Sequence, residues 1–178
     1  MNDDVPISIS WDEFNRAVDV ALVRNTNAIR LGRAVGGTRT DIGFDRHVIG
    51  SLGEYAVAKY FDICWIPKVT GPDTGVGDIP PNLHVKATLR ESGQLIVQVK
   101  DPPKFDYILV YVELRRIPNC PVAHLRGWIH GSAVQQAGTL RQQGEPGVHT
   151  TSYWIHPDKL NAMGTLRHRH TEHEPINF

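Results

Sequence analysis

The chain has 178 residues and carries 19 lysines and arginines against 19 aspartates and glutamates, so its formal net charge is zero. This length suits a single domain, and the balanced charge argues against a protein that coats nucleic acid through bulk positive charge. The sequence has two cysteines, no apolar signal segment after Met1 and no stretch long enough for a membrane span. A reduced, cytoplasmic protein is therefore expected.

Two helices are predicted in the first third of the chain. Ser10 and Glu13 have the spacing of a capping box, and apolar residues then recur at helical spacing over residues 11–31. Glycines at 36 and 37 end this unit, and a second helix, apolar on most sides, is predicted over 45–61. The expected divisions are an N-terminal helix with a Gly-rich loop over 1–44, a core over 45–163 and a polar C-terminal tail over 164–178.

The predicted strands follow a loop that is rich in Gly, Pro and Asp. Residues 83–89 alternate between apolar and polar, so His84, Lys86 and Thr88 should share one face of a strand. A turn over 91–94 predicts an antiparallel hairpin between this strand and a second one at 95–100. The remaining expected elements are a central strand at 107–114, strands at 125–130 and 152–155, a short helix near 133–140 and a helical turn at 157–163.

Glu54, Asp78 and Lys86 are charged residues in apolar or turn-forming surroundings. Ser51 and Glu54 also have capping-box spacing, but the apolar periodicity starts earlier, so Glu54 is expected inside the second helix. A lone carboxylate on an apolar stripe is costly unless a cation meets it. Asp78 lies in a Gly-Asp turn, and Lys86 shares its strand face with His84.

The types of these residues suit phosphodiester hydrolysis. That reaction requires a cation on the phosphate, an activated water and stabilisation of the charge that develops on the phosphate oxygens. Glu54, Asp78 and the backbone carbonyl of Val85 are oxygen ligands of the kind that magnesium prefers. The ammonium of Lys86 would orient the water and stabilise the developing charge. Together the residues favour a metal-dependent phosphodiesterase site, although each alone has a simpler structural explanation.

The segments that carry these residues resemble the PD-(D/E)XK nuclease superfamily. The similar parts are Gly50–Phe61, Gly77-Asp78, the strand His84–Thr88 and the segment Trp128–Gly131. The resemblance covers about residues 45–163 and implies an α/β (α+β) fold, with a restriction-endonuclease-like mixed β-sheet flanked by helices and an extra N-terminal helix. It also implies cleavage of DNA with Mg²⁺ or Mn²⁺, Asp78 and Glu54 as metal ligands and Lys86 as the catalytic lysine.

His84 departs from the family pattern, which has Glu or Asp at this position. Imidazole suits manganese, cobalt, nickel or zinc better than magnesium. Three interpretations stay open: His84 contacts a different metal or one of its ligands, Glu54 replaces the missing acid, or the protein has lost catalysis and binds DNA or a protein partner through the same fold. A second pattern, Gln98-Val-Lys100, ranks lower because it does not follow the Gly-Asp turn.

Basic residues near the second helix are the candidates for contacts with nucleic acid. A solvated helix face explains any single one of them equally well. DNA or RNA, endonuclease or exonuclease action, and a monomer or homodimer all stay open. The candidates are Arg24, Arg30, Arg33, Arg39, Arg46 and Lys100.

Two rival sites are disfavoured. The C-terminal histidines His168, His170 and His173 alternate with charged residues, which is typical of a polar tail rather than of a zinc site. Cys64 lies in an apolar segment, so it is expected to be buried and unreactive.

Overall fold

Two β-sheets form the frame of the protein, a mixed sheet and an antiparallel one. The computed structural model describes residues 4–31, 41–69, 77–115, 118–143 and 149–171. These ranges contain four α-helices together with the two sheets, so the predicted α+β class is confirmed. No helix within these ranges is both long enough and apolar enough to cross a membrane.

The two N-terminal helices agree with the sequence pattern. Helix α1, Trp11–Arg30, begins with the predicted capping box, in which Ser10 and Glu13 satisfy each other's backbone amides. Helix α2, Asp41–Phe61, begins four residues earlier than expected and packs against α1. Glu54 is inside α2, as its periodicity indicated.

Four strands in the order β1-β5-β4-β2 make the mixed sheet. Strand β4 is central, antiparallel to β5 and parallel to β2, which is an edge strand. Strand β1 was not predicted, because it has only four residues and one of them is proline. The strands are β1 Val5–Ser8, β2 Leu83–Thr88, β4 Asp106–Glu113 and β5 Val122–His130.

The predicted hairpin between residues 83–89 and 95–100 is wrong. Strand β3, Leu95–Gln98, pairs instead with β7, Thr150–Ile155, in a second sheet of order β3-β7-β6. At the outer edge of β2, the backbone N–H of Val85 donates to the side chain of Asp78. This N–H is therefore not available to pair with β3. Strand β6, Thr139–Gln143, was missed because all five of its residues are exposed and show no apolar alternation. It shortens the predicted helix to α3, Val134–Ala137.

A separate apolar core lies on each face of the mixed sheet. On one face, Ala56 of α2 belongs to the same buried cluster as Val110 of β4. On the other face, Leu95 of β3 belongs to a cluster with Tyr107 of β4. Side chains alternate across a strand, so β4 contributes to both cores.

The segment after residue 163 is not only a polar tail. Helix α4, Met163–Thr171, begins there, and its Leu166 is fully buried in the core beside α2. The Trp128 indole N–H donates to the hydroxyl of Thr165 at 3.0 Å and to the carbonyl of Ala162 at 3.2 Å. The prediction of a buried Cys64 is also wrong, because this thiol is exposed while the neighbouring Trp65 is buried.

Gly53 lets α2 lie close to the mixed sheet. A Cβ at this position would come within 2.8 Å of the Cβ of Ala87 and 3.3 Å of Val85. We expect Gly53→Ala to lower the free energy of unfolding by about 1–3 kcal/mol, because the added Cβ overpacks the contact between α2 and β2. Gly50→Ala is the matched control, because Gly50 is in the same helix and a Cβ there would have no atom within 4 Å. Alanine at this position should raise the free energy of unfolding by up to about 1 kcal/mol. Urea unfolding of both variants measures this, and equal effects would contradict the close packing.

Candidate active site

Asp78 lies at the outer edge of strand β2. Its Oδ2 accepts a hydrogen bond from the backbone N–H of Val85 at 2.8 Å and contacts Nδ1 of His84 at 3.1 Å. Within the described part of the chain, Oδ1 accepts no hydrogen bond, and 30% of the side chain is exposed. One carboxylate oxygen is therefore fixed, and the other has no hydrogen-bond partner among the described residues.

The turn that carries Asp78 requires the preceding glycine. A Cβ on Gly77 would lie within 3 Å of the Leu83 backbone, so this glycine permits the turn to close on the start of β2. The carbonyl of Gly77 also accepts a hydrogen bond from Nζ of Lys68 at 2.7 Å. The Gly-Asp pair is thus a structural unit that holds the carboxylate in place.

The surroundings of Asp78 favour its ionised form. Burial, the largest single influence, would raise the pKa of this carboxyl. The hydrogen bond and charge of His84, the Val85 N–H and the charge of Lys86 together outweigh burial, and the pKa of Asp78 lies below its usual value. The carboxylate is therefore available as an anion at neutral pH.

His84 orients Asp78 and does not face solvent. Its ring stacks on Tyr107 at 5.6 Å and meets the ring of Phe105 edge-on at 4.4 Å. Nδ1 is engaged by Asp78, while Nε2 is buried and has no hydrogen-bond partner in the part of the chain that the structure describes. Of the two predicted roles, this arrangement fits contact with a metal ligand rather than with the metal.

Lys86 is held by an acid that the sequence analysis missed. Its Nζ donates to Oδ2 of Asp101 at 3.0 Å, and the same oxygen accepts the backbone N–H of Gln98 at 3.1 Å. The ammonium also lies 5.8 Å from the centroid of the Tyr107 ring. Asp101 closes a turn directly after β3, so it fixes Lys86 through the fold of the second sheet.

Glu54 meets a cation, and that cation is Arg24. The two guanidinium nitrogens Nη1 and Nη2 donate to the two carboxylate oxygens, each at 2.8 Å. Arg24 also donates to the hydroxyl of Ser51 at 3.2 Å and to the carbonyl of Lys68 at 2.9 Å. The prediction that Arg24 contacts phosphate is therefore wrong, since Arg24 is a largely buried partner of Glu54 in an ion pair.

Asp78 lies close enough to Glu54 for its charge to affect the pKa of Glu54. Burial raises the pKa of Glu54, the hydrogen bonds and charge of Arg24 oppose this, and the Asp78 charge raises it again, so that the net direction is upward. The structure thus brings Asp78, His84 and Lys86 together along β2. Glu54 stands nearby with both oxygens already paired.

The donor set fits a metal that takes few protein ligands. Within the described residues, no three side chains of His, Cys, Asp or Glu are grouped so as to hold a metal ion by themselves. Mg²⁺ commonly takes one or two carboxylates and completes its shell with water and substrate phosphates. Asp78 supplies a free oxygen for that arrangement. The carbonyl of Val85 points to the same edge, because the N–H and C=O of one strand residue share a direction.

A cationic groove of about 650 Å³ runs beside β2. Its walls come from α2, from the turn after β2 and from the second sheet, and no Asp or Glu is among its lining residues. Four cations line it, and two of them, Lys86 and Arg46, are predicted site residues. The four are Arg46, Lys86, Arg90 and Arg141.

Two other basic candidates, Arg30 and Lys100, do not line this groove. Arg30 is exposed at the end of α1, and Lys100 is exposed in the turn after β3. Arg33 and Arg39 lie outside the described residues. Arg90 and Arg141 were missed because neither belongs to a charge cluster in the sequence, and only the fold brings them to one surface.

Comparison with family models, curated proteins and solved structures found no match to this chain. Its function is therefore inferred from its residues and their geometry.

Proposed function

We propose that this protein is a divalent-metal-dependent nuclease that hydrolyses phosphodiester bonds of DNA through a site similar to that of the PD-(D/E)XK superfamily. One observation carries the proposal: Asp78 and Lys86 lie along one edge strand, and Lys86 also lines a groove with three arginines and no acid. A phosphate that enters this groove meets the ammonium of Lys86, whose charge also acts on the Asp78 carboxylate at the edge of the same strand.

Each residue has a role that follows from its contacts. Asp78, with the carbonyl of Val85, would hold Mg²⁺ or Mn²⁺, which when bound neutralises phosphate charge and lowers the pKa of a coordinated water. His84 keeps the Asp78 carboxylate in a single orientation. Lys86, held by Asp101, directs its ammonium at the phosphate oxygens that gain charge. Glu54 joins the metal site only if it releases Arg24.

The proposed partner is DNA, bound by a monomer or a homodimer in the cytoplasm. The cations of the groove can replace the counterions of the phosphate backbone even though the chain as a whole is neutral. Cys64 and Cys120 are unpaired, which suits a reducing compartment.

A metal-dependence assay tests the proposal. Purified protein is incubated with supercoiled plasmid and with linear DNA in Mg²⁺, Mn²⁺, Co²⁺ or Zn²⁺, and in EDTA. We expect strand cleavage with Mg²⁺ or Mn²⁺ and none in EDTA, because the metal supplies the activated water and neutralises the phosphate charge. Absence of cleavage with every metal would contradict the proposal.

A second candidate is a catalytically degenerate nuclease-fold module that binds DNA or a protein partner. The pairing of both Glu54 oxygens with Arg24 favours this candidate. Because His84 stands where the family has an acid, Asp78 is then the one predicted carboxylate ligand that is not in an ion pair with arginine. In the same assay, gel-shift binding of DNA without cleavage in any metal would support this candidate.

A further inference from the structure

Trp154 and Arg141 form a stacked pair on the wall of the groove. Strand β7 carries Trp154, and Cζ of Arg141 in β6 lies 5.0 Å from the centroid of its ring. Both residues line the groove together with Ile96 of β3, which is directly opposite Trp154 in the sheet. This face of the second sheet is the one that does not pack into the core, since Leu95 and Ile155 point the other way.

Cations from two other elements also line the groove. Arg46 comes from α2 and Lys86 from β2, so phosphates in the groove can be contacted by more than one element of the fold. Arg90, in the turn after β2, adds a third exposed contact. A flat stacking pair within a cationic groove is the combination used by proteins that bind single strands, because every base has a face that can stack.

We propose that the groove binds a single-stranded or locally unpaired nucleic acid, with one base stacked on the Trp154–Arg141 pair and the phosphates along Arg46, Lys86 and Arg90. In a duplex the base faces are covered by their neighbours, so stacking on Trp154 requires a base that has left the helix. The groove, at about 650 Å³, has the volume of a small-ligand site. This inference rests on the proposed function for its link to cleavage, but it concerns binding alone.

Binding in EDTA tests the inference separately from cleavage. Fluorescence anisotropy of a labelled oligodeoxynucleotide, its duplex and the equivalent oligoribonucleotide would be measured over a range of salt concentrations. We expect the single strands to bind at least about tenfold more tightly than the duplex, with Trp154→Leu weakening single-strand binding by about 5- to 150-fold. The comparison of DNA with RNA identifies which strand the groove prefers.

Two further variants keep the test interpretable if Trp154→Leu does not fold. Trp154→Phe retains a ring and should keep most of the affinity. Arg141→Gln should lower affinity through loss of the stacked guanidinium and leave the slope of log K against log salt nearly unchanged, because the phosphates lie along Arg46, Lys86 and Arg90. Arg115→Gln is the matched control, since Arg115 is exposed, pairs with Glu113 and does not line the groove.

Tighter binding of the duplex, or an Arg141→Gln variant that behaves like Arg115→Gln, would overturn the inference. Cleavage of DNA without a single-strand preference would leave the proposed function intact and remove only this inference. A single-strand preference without cleavage in any metal would support this inference and contradict the proposed function.

Discussion

Replacement of Lys86 by alanine is expected to lower the rate of DNA cleavage by about 10²–10³-fold, the usual loss when one preorganised donor to the transition state is removed. The ammonium is fixed by Asp101 at 3.0 Å, so its charge is in place before the phosphate arrives. Affinity for DNA should fall only slightly, because three other cations of the groove remain. Single-turnover cleavage and anisotropy on the same protein separate the two effects.

Lys159→Ala is the control for this variant. Lys159 is exposed, donates to the carbonyl of Ala137 and does not line the groove. It should change neither rate nor affinity. If Lys86→Ala cleaved DNA as fast as Lys159→Ala, the ammonium would have no catalytic role, and the binding module would become the better explanation.

The second large effect is expected at Arg24. Arg24→Met should lower the free energy of unfolding by about 3–5 kcal/mol, because it leaves Glu54 buried without its counter-charge. The variant also loses the hydrogen bond to the Lys68 carbonyl, and Lys68 in turn holds the turn that carries Asp78. Denaturant unfolding with a circular dichroism readout measures the change.

The double variant Arg24→Met/Glu54→Leu distinguishes a structural Glu54 from a catalytic one. Replacement of both partners removes the unpaired charge, so most of the stability should return. If the double variant is stable and still cleaves DNA, Glu54 serves the fold alone. If it is stable and inactive, Glu54 releases Arg24 during the reaction and contributes to the metal site. No recovery of stability would contradict the ion-pair account.

Local patterns were enough to predict most of the elements but not their pairing. The capping box at Ser10 and the alternation over 83–89 depend on neighbouring residues, and both predictions hold. Strand β3 was also predicted as a strand, but no local signal indicates that it pairs with β7 rather than with β2. Leu95 and Val97 are buried by a layer of side chains that the chain supplies only later, from β4 and β5.

The same limit applies to the candidate site. Asp78, His84 and Lys86 lie within nine positions of the sequence, and their proximity follows from one turn and one strand. Arg24 is 30 positions from Glu54, and Asp101 is 15 positions from Lys86. The cost of burying Glu54 indicated that a cation must meet it, yet only the packing of α1 on α2 determines that the cation is an arginine.

The central claim is that the free oxygen of Asp78 holds a divalent metal beside the bound phosphate. Electron paramagnetic resonance of Mn²⁺, titrated into the protein with a DNA oligonucleotide, measures this directly, and the Lys86→Ala background keeps the DNA intact. Asp78→Asn should weaken Mn²⁺ binding by at least about tenfold, since the amide cannot supply the anionic ligand. An Asp78→Asn variant that binds Mn²⁺ as tightly as its parent would contradict the claim.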